Sequence, residues 1–198
     1  SGYYSIDEEY TIIGMQAQEQ GLTTVMEIEP EVYENPYIYG SPLHLIRAMM
    51  NIYSNCIKYN KENGEIRTHV RLLHSDEKIL TYQWTISDTG IGISEDYLSR
   101  IFEPFTQEGT DARSVYQGTS LGMSIAKALF EQMGGNLEVF SKLGEGSKFT
   151  VIMEYRIADK GYYEQVTDPS PDTEETDWIS GKHVLLAEDN ELNAEILT

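Results

Sequence analysis

The sequence predicts an α+β domain, and three observations carry that expectation. Residues 45–57 place Leu45, Ile46, Met49, Ile52, Tyr53, Cys56 and Ile57 on one side of a helix, at about 100° per residue. An Asn63-Gly64 turn leads into alternating Ile66, Thr68, Val70 and Leu72, then Leu80, Tyr82, Trp84 and Ile86, the pattern of an antiparallel hairpin with one apolar face. Residues 137–141 and 148–155 read as two more strands joined through Gly144 and Gly146, after a helical run bearing Ile125, Ala128, Leu129 and Met133.

In chain order, Ser5 and Glu8 form a capping box for a helix over 5–20, with Tyr10, Ile13 and Ala17 at helical spacing and Gly21 as its stop. Residues 22–28 read as a strand, 30–35 as a turn-rich loop beside Pro30 and Pro36, and 37–39 as a short strand. Ser41 is expected to cap the central helix, with Pro42 at its first position, where a missing N–H costs nothing. Residues 74–78 turn the hairpin, and Ser94 caps a helix expected to reach residue 101. Residues 106–118 carry almost nothing apolar, which predicts a mobile loop. Gly134-Gly135 ends the helix that follows.

From residue 157 to 180 the chain becomes acidic, with Pro169 and Pro171, and reads as a linker. His183 to Ala187 is a fresh buried-strand pattern ending in Glu188-Asp189, with Asn190 placed to cap a next helix. Having no sheet of its own in this stretch, that strand is expected to be disordered or to pack adventitiously.

A chain of 198 residues accommodates one well-cored domain and a remnant. Its net charge of −19 argues against nucleic acid as a partner, because there is no excess of Lys and Arg to release counterions. No apolar run approaches the roughly 18 residues of a membrane span, which predicts a cytoplasmic fragment and leaves open whether a longer parent is membrane-anchored. Cys56 is the single cysteine, so no internal disulfide forms, and its plain role is a small core residue. His69 and His74 lack the spacing of a metal site and read as structural.

Opposite the apolar face of the central helix runs a stripe of Arg47, Asn51, Asn55 and Lys58. A solvated face usually carries Glu and Lys pairs four apart, whereas two Asn four apart present amide groups suited to a polar ligand. Asp88 ends a strand and is followed by Gly90 and Gly92, so a carboxylate can accept from an exocyclic amine where glycines let a flat ring approach. The segment from Gly118 to Ser124 opens a helix whose N–H groups favour phosphate. Taken singly, the stripe also reads as an ordinary wet face and each glycine segment as an ordinary loop. The second segment lacks the Gly-Lys-Ser/Thr of a Walker loop and the spacing of a Rossmann fingerprint.

In this order and spacing the segments resemble the four boxes of the histidine-kinase catalytic, ATP-binding domain (Bergerat type). Asn51 and Asn55 match the N box, 88–93 the first glycine box, 102–105 the F box and 118–122 the second glycine box; the resemblance covers about residues 22–155. It implies a two-layer α/β sandwich, with helices on one face of a mixed, largely antiparallel sheet. It implies ATP and Mg²⁺ as cofactors and these roles: Asp88 on the adenine amine, with Gly90, Gly92 and Ile93 shaping the ring site; Asn55 and Asn51 at the metal and terminal phosphates; Lys58 adding charge; Tyr59, Phe102 and Ser147 lining the nucleotide. Gly118, Thr119, Leu121, Gly122 and Met123 would wrap the phosphates, and Arg113 would meet the γ-phosphate. Asn51, Lys58 and Arg113 are thereby the candidate catalytic residues.

The tail from residue 182 resembles the start of a response-regulator receiver domain, which implies a bacterial hybrid sensor kinase working in a phosphorelay. The expected layout is 1–21 as a helix and linker from an upstream dimerisation hairpin, 22–156 as the catalytic domain, 157–181 as linker and 182–198 as the truncated receiver start. Two departures stand out. Ser120 replaces the middle glycine of the G-T-G-L-G pattern, which bears on lid closure, and none of His44, His69, His74 or His183 begins an acceptor-histidine motif. The accepting histidine is therefore expected on the upstream dimerisation domain, and the fragment alone is expected to be monomeric. Two other classes compete: a nucleotide-binding scaffold without transfer, and a hydrolytic ATPase of the gyrase and chaperone superfamily, whose members place a water-activating Glu where this chain has Asn51.

Overall fold

The computed structural model describes residues 6–34, 37–105, 121–158 and 185–187. In chain order these form α1 (Ile6–Glu19), β1 (Thr23–Ile28), a 3-10 turn (Pro30–Tyr33), β2 (Tyr37–Tyr39), α2 (Pro42–Lys58), β3 (Glu65–Ser75) and β4 (Ile79–Asp88). They continue with α3 (Glu95–Leu98), α4 (Gly122–Gln132), β5 (Asn136–Lys142), β6 (Gly146–Ile157) and β7 (Leu185–Ala187).

The strands make one mixed sheet in the order β1-β3-β4-β6-β2-β7, with β5 also paired to β6. β1 runs parallel to β3 and β7 parallel to β2, while the remaining pairs are antiparallel. The β3–β4 hairpin forms as its alternation requires: Leu80, Tyr82, Trp84 and Ile86 are buried, with Ile86, Trp84 and Tyr82 opposite Thr68, Val70 and Leu72. Phe149, Val151, Met153 and Tyr155 of β6 extend the same apolar face. The intervening residues of β4 are Thr81, Gln83, Thr85 and Ser87, so the other face stays polar and only partly covered. Helices cover the apolar face alone, which gives two layers.

Helix α2 supplies most of the helical side of the core through Leu45, Ala48, Met49, Ile52, Tyr53 and Cys56. α4 packs beside it, burying Met123, Ala126 and Phe130, and Ile13 and Ala17 of α1 complete the layer. A small apolar cavity of about 20 Å³ lies between α1, α2 and the sheet, lined by Tyr10, Ile13, Leu45 and Trp84 among others. It has room for about one water, so it is a packing gap and not a ligand site.

Several element ends differ from the sequence expectation. Ser41 occupies the position before α2 but makes no side-chain capping bond, and its hydroxyl is buried without a partner among the described residues. Pro42, with its fixed φ and no N–H to satisfy, starts the helix instead. α3 is a single turn, Glu95–Leu98, because the chain tightens into i+3 bonds such as Arg100 N to the Tyr97 carbonyl (2.9 Å) instead of continuing as helix to residue 101. β3 runs on to Ser75, so the hairpin turn is shorter than 74–78. β6 extends through Ile157, whose N–H bonds the Lys78 carbonyl at 2.8 Å, which takes the first residue of the expected linker into the sheet. Of the tail, 185–187 pair with Tyr37, Ile38 and Tyr39 of β2. Ser5, linker residues 159–181, and the Glu188, Asp189 and Asn190 assignments lie outside the described residues.

One buried polar contact locks α2 to the sheet: the Tyr53 and Thr68 hydroxyls lie 2.7 Å apart, and Thr68 is fully buried. Tyr53→Phe leaves the Thr68 hydroxyl without that partner, so it is expected to cost about 1–3 kcal/mol in urea unfolding. Adding Thr68→Val, which removes the stranded group, should recover most of the loss; a double variant no more stable than Tyr53→Phe would show that the loss does not come from an unsatisfied Thr68 hydroxyl.

Candidate functional site

Asp88, the last residue of β4, lies opposite Ile66 of β3 and Ser147 of β6. Its Oδ1 accepts N–H bonds from Gly90 (2.8 Å) and Ser147 (3.3 Å), and Cys56 of α2 lies near enough for the Asp88 charge to act on its thiol. Loop, sheet and helix therefore converge on one acid. Burial pushes the Asp88 carboxyl above the usual carboxylate value, and its hydrogen bonds only partly oppose that. Burial, and then the nearby Asp88 charge, push the Cys56 thiol well up.

The loop after Asp88 follows the polypeptide so closely that two glycines are obligatory. A Cβ at Gly90 would collide with the Tyr59 carbonyl oxygen, and one at Gly92 (φ 69°) with the Lys142 carbonyl oxygen. The loop is held on both sides: Ile91 N bonds the Tyr59 carbonyl (3.0 Å), Gly144 N bonds the Ile91 carbonyl (2.7 Å), and Ile93 N bonds Ser141 Oγ (2.9 Å). Ser147 contributes its N–H to Asp88, and its hydroxyl lies 2.9 Å from that of Ser141.

Along α2, Asn51 and Asn55 are partly exposed on the face away from the core. Asn51 Nδ2 donates to the Arg47 carbonyl at 3.0 Å. Its oxygen would stand only 3.2 Å from a Cβ at Gly122, the first residue of α4. The two helices thus bring the N-box amide and the start of α4 together, with α4's first N–H groups uncapped by any side chain. The Lys58 ammonium lies 4.8 Å from the centre of the Tyr59 ring.

Phe102 is partly buried under Lys127, whose ammonium is 4.6 Å from the ring centre. Phe105 is 78% exposed and holds φ at 64°, an uncommon conformation for a side chain of this size. Leu121 stands at the start of α4, its carbonyl accepting from Ile125 N and the Ser124 hydroxyl, both at 2.9 Å. Met123 turns its side chain into the core, so only its backbone is placed to meet a ligand. Arg113, Gly118, Thr119 and Ser120, with the rest of the expected loop, lie outside the described residues.

Four residues escaped sequence reasoning. Asn60 Nδ2 donates to the Cys56 (3.1 Å) and Glu65 (3.3 Å) carbonyls, while its Oδ1 accepts from Thr89 Oγ1 (3.1 Å) and Lys61 N (3.0 Å). Thr89 Oγ1 in turn accepts from Glu65 N at 2.9 Å. This network ties the end of α2 to the loop after Asp88. Asn60 at a helix end and Thr89 between Asp88 and Gly90 are the residue types that make such local bonds. For Ser141 and for Cys56 as a neighbour of Asp88 the sequence held no comparable signal. His69 and His74, read as structural, lie 3.2 Å from Glu29 and 3.3 Å from Asp76.

Residues 40–157 match the family described as histidine kinase-, DNA gyrase B- and HSP90-like ATPase. The chain is 31% identical over 191 residues to sensor histidine kinase AruS of Pseudomonas aeruginosa, covering 96% of the chain and 18% of that protein. It is 34% identical over 183 residues to the autoinducer 2 sensor kinase/phosphatase LuxQ of Vibrio vulnificus, covering 91% and 20%. The chain thus spans about a fifth of the length of these curated relatives. Among solved structures, full-length ShkA in complex with AMPPNP aligns with a TM-score of 0.60 and 25% identity, over 79% of this chain and 32% of that one.

A carboxyl held above its unfolded value binds its proton more tightly in the folded chain, so stability rises as pH falls through the folded value towards the unfolded one. At neutral pH the ionised Asp88 therefore costs stability. Asp88→Asn keeps an acceptor oxygen for Gly90 and Ser147 while removing that charge, and is expected to raise the thermal midpoint by about 1–4 °C at pH 7. A lowered midpoint would show that the carboxylate's hydrogen bonds outweigh its burial.

Proposed function

The chain belongs to the histidine kinase-, DNA gyrase B- and HSP90-like ATPase family, and from that membership we propose that it binds Mg-ATP and presents the γ-phosphate to a histidine on a separate dimerisation domain in two-component signalling. The observation that carries this reading is the placement of two motifs by one helix: the end of α2 is bonded to the loop after Asp88 through Asn60 and the Tyr59 carbonyl, and its middle meets the start of α4 through Asn51. A base held at the first and phosphates at the second would lie along the Asn51 and Asn55 stripe.

In this reading Asp88 accepts from the adenine amine, Gly90, Gly92 and Ile93 let the ring lie against the loop, and Tyr59, Phe102 and Ser147 border it. The N–H groups of Leu121, Gly122 and Met123 at the start of α4 face the phosphates, with Gly118, Thr119 and Arg113 completing the enclosure. Lys58 and Asn51 orient and neutralise the terminal phosphates. The amide oxygens of Asn55 and Asn51 are hard ligands of the kind Mg²⁺ takes alongside water and phosphate oxygens, and the ion when bound supplies charge neutralisation. Transfer forms a bond from the histidine nitrogen to the γ-phosphorus as the bond to the β,γ-bridging oxygen breaks, releasing ADP. Positioning and charge carry most of such a step.

Further domains belong to the same proposal: an acceptor-bearing dimerisation hairpin upstream and a receiver downstream, making the whole a hybrid kinase. The AruS match, which covers more of the chain than residues 40–157, supports a continuation beyond the ATPase unit. The hydrolytic alternative is disfavoured because Asn51, which bonds the Arg47 carbonyl, offers no carboxylate to activate water. No helix among the described residues is long and apolar enough to cross a membrane.

Calorimetric titration with Mg-ATP tests the site. Asp88→Ala should weaken binding by about 10-fold to 100-fold or more, whereas Asn55→Ala should remove the Mg²⁺-dependent part and leave metal-free nucleotide binding. Both variants binding like the parent would overturn the assignment. With the upstream hairpin restored, label from γ-phosphate should appear on its histidine; brisk ATP hydrolysis by the chain alone would favour the hydrolytic reading instead.

A further inference from the structure

We propose that Ser141 is a positioning residue for base recognition: it takes up the proton of the Ser147 hydroxyl, so that Ser147 stands beside Asp88 as a second acceptor and the site favours a 6-amino purine over a 6-oxo one. The inference rests on the reading of Asp88 as the base acceptor with Ser147 bordering the ring, and deepens it.

Three side chains line up at one end of the sheet. Ser147 of β6 pairs with Asp88 of β4 on one side and with Ser141 of β5 on the other. Ile86, Phe149 and Val139, each two residues along from one of them, pack in or against the core. Strand alternation therefore puts Asp88, Ser147 and Ser141 on that same helix-covered face.

A hydroxyl has one proton to give and two lone pairs with which to accept. Ser141 Oγ donates to the Gly146 carbonyl at 2.8 Å and accepts from Ile93 N at 2.9 Å. The same hydroxyl lies 2.9 Å from that of Ser147. A carbonyl can only accept, so the Ser141 proton is committed there, and the proton between the two serines comes from Ser147. Ser141 is then complete, with one bond given and two received. Ser147 keeps lone pairs but has no hydroxyl proton left for a ligand, and its N–H is committed to Asp88 Oδ1 at 3.3 Å. Beside the Asp88 carboxylate this makes a row that only accepts. An exocyclic amine brings a proton for each of the two acceptors, directly or through a water, whereas a 6-oxo group sets lone pairs against lone pairs.

The full 198-residue chain and its variants are titrated with Mg-ATP and with Mg-inosine triphosphate, which carries a 6-oxo group. The parent is expected to prefer ATP. Ser141→Ala frees the Ser147 proton to turn towards the ligand, so the inosine nucleotide should bind about three- to tenfold more tightly than to the parent, with no gain for ATP. Ser141→Thr keeps the hydroxyl and should hold the parent's preference within about twofold. Ser147→Ala combined with Ser141→Ala removes the freed donor and should abolish the gain. Ser147→Ala alone removes an acceptor, so it should weaken ATP by about threefold or more and leave the inosine nucleotide no weaker.

If the parent binds both nucleotides equally, Asp88 is not the base acceptor and the inference falls with that reading. If the parent discriminates, an unchanged preference in Ser141→Ala, or an equal change for both nucleotides, reduces Ser141 to support of the loop and overturns the proposal. A gain that survives in the double variant overturns it as well, because the gain then does not pass through Ser147. Should Ser141→Ala not fold, Ser147→Ala decides alone, and any result other than a selective loss of ATP affinity overturns the proposal.

Discussion

The seating of α2 on the sheet sets the geometry of everything else. Ile52 and Tyr53 are buried against the β3–β4 face, and the Tyr53–Thr68 contact fixes the helix both along its axis and in rotation. Once that rotation is set, Asn51 faces the start of α4 while Asn60, just beyond the helix end, reaches Thr89 in the loop after Asp88. Neither functional contact would survive a register shift of a single residue, since about 100° of rotation would exchange the buried face for the polar stripe. Core packing and site geometry are one constraint here.

The loop that follows Asp88 shows how the backbone is used up in building a surface. Its carbonyls and N–H groups are spent on Tyr59, Ser141 and Gly144, and its glycines admit neighbouring carbonyl oxygens where a side chain could not fit. Asp88 itself is kept partly buried despite its charge. A binding group of this kind is set against local stability, a familiar pattern at functional sites.

Hydrophobic period made the sheet and α2 legible from the chain alone. Alternation at 66–72 and 80–86 has only one solution with a single apolar face, and the burial of Ile66 and Ile86 follows from it, as that of Ile52 follows from the helical spacing of α2. The sequence likewise put Asp88 at a strand end, Gly90 and Gly92 in the loop after it, and Gly122 where a helix opens, as the structure also shows. What period cannot encode is contact between polar groups of different elements. Cys56 reads as a core residue because its neighbours are apolar, and only the fold brings Asp88 to it; Asn60, Thr89 and Ser141 are small polar residues of loops and edges until the chain closes around them. Ser41 failed as a cap for a related reason, since capping needs the side chain to turn back over the first turn, and its hydroxyl is instead buried.

The solitary sulfhydryl has a consequence of its own. Because the chain carries one cysteine and that residue is buried on the core side of α2, a thiol-directed reagent can reach it only when α2 lifts from the sheet. The protein therefore contains its own gauge of breathing at this seam, and its alkylation rate reads how often helix and strand part without any engineered label.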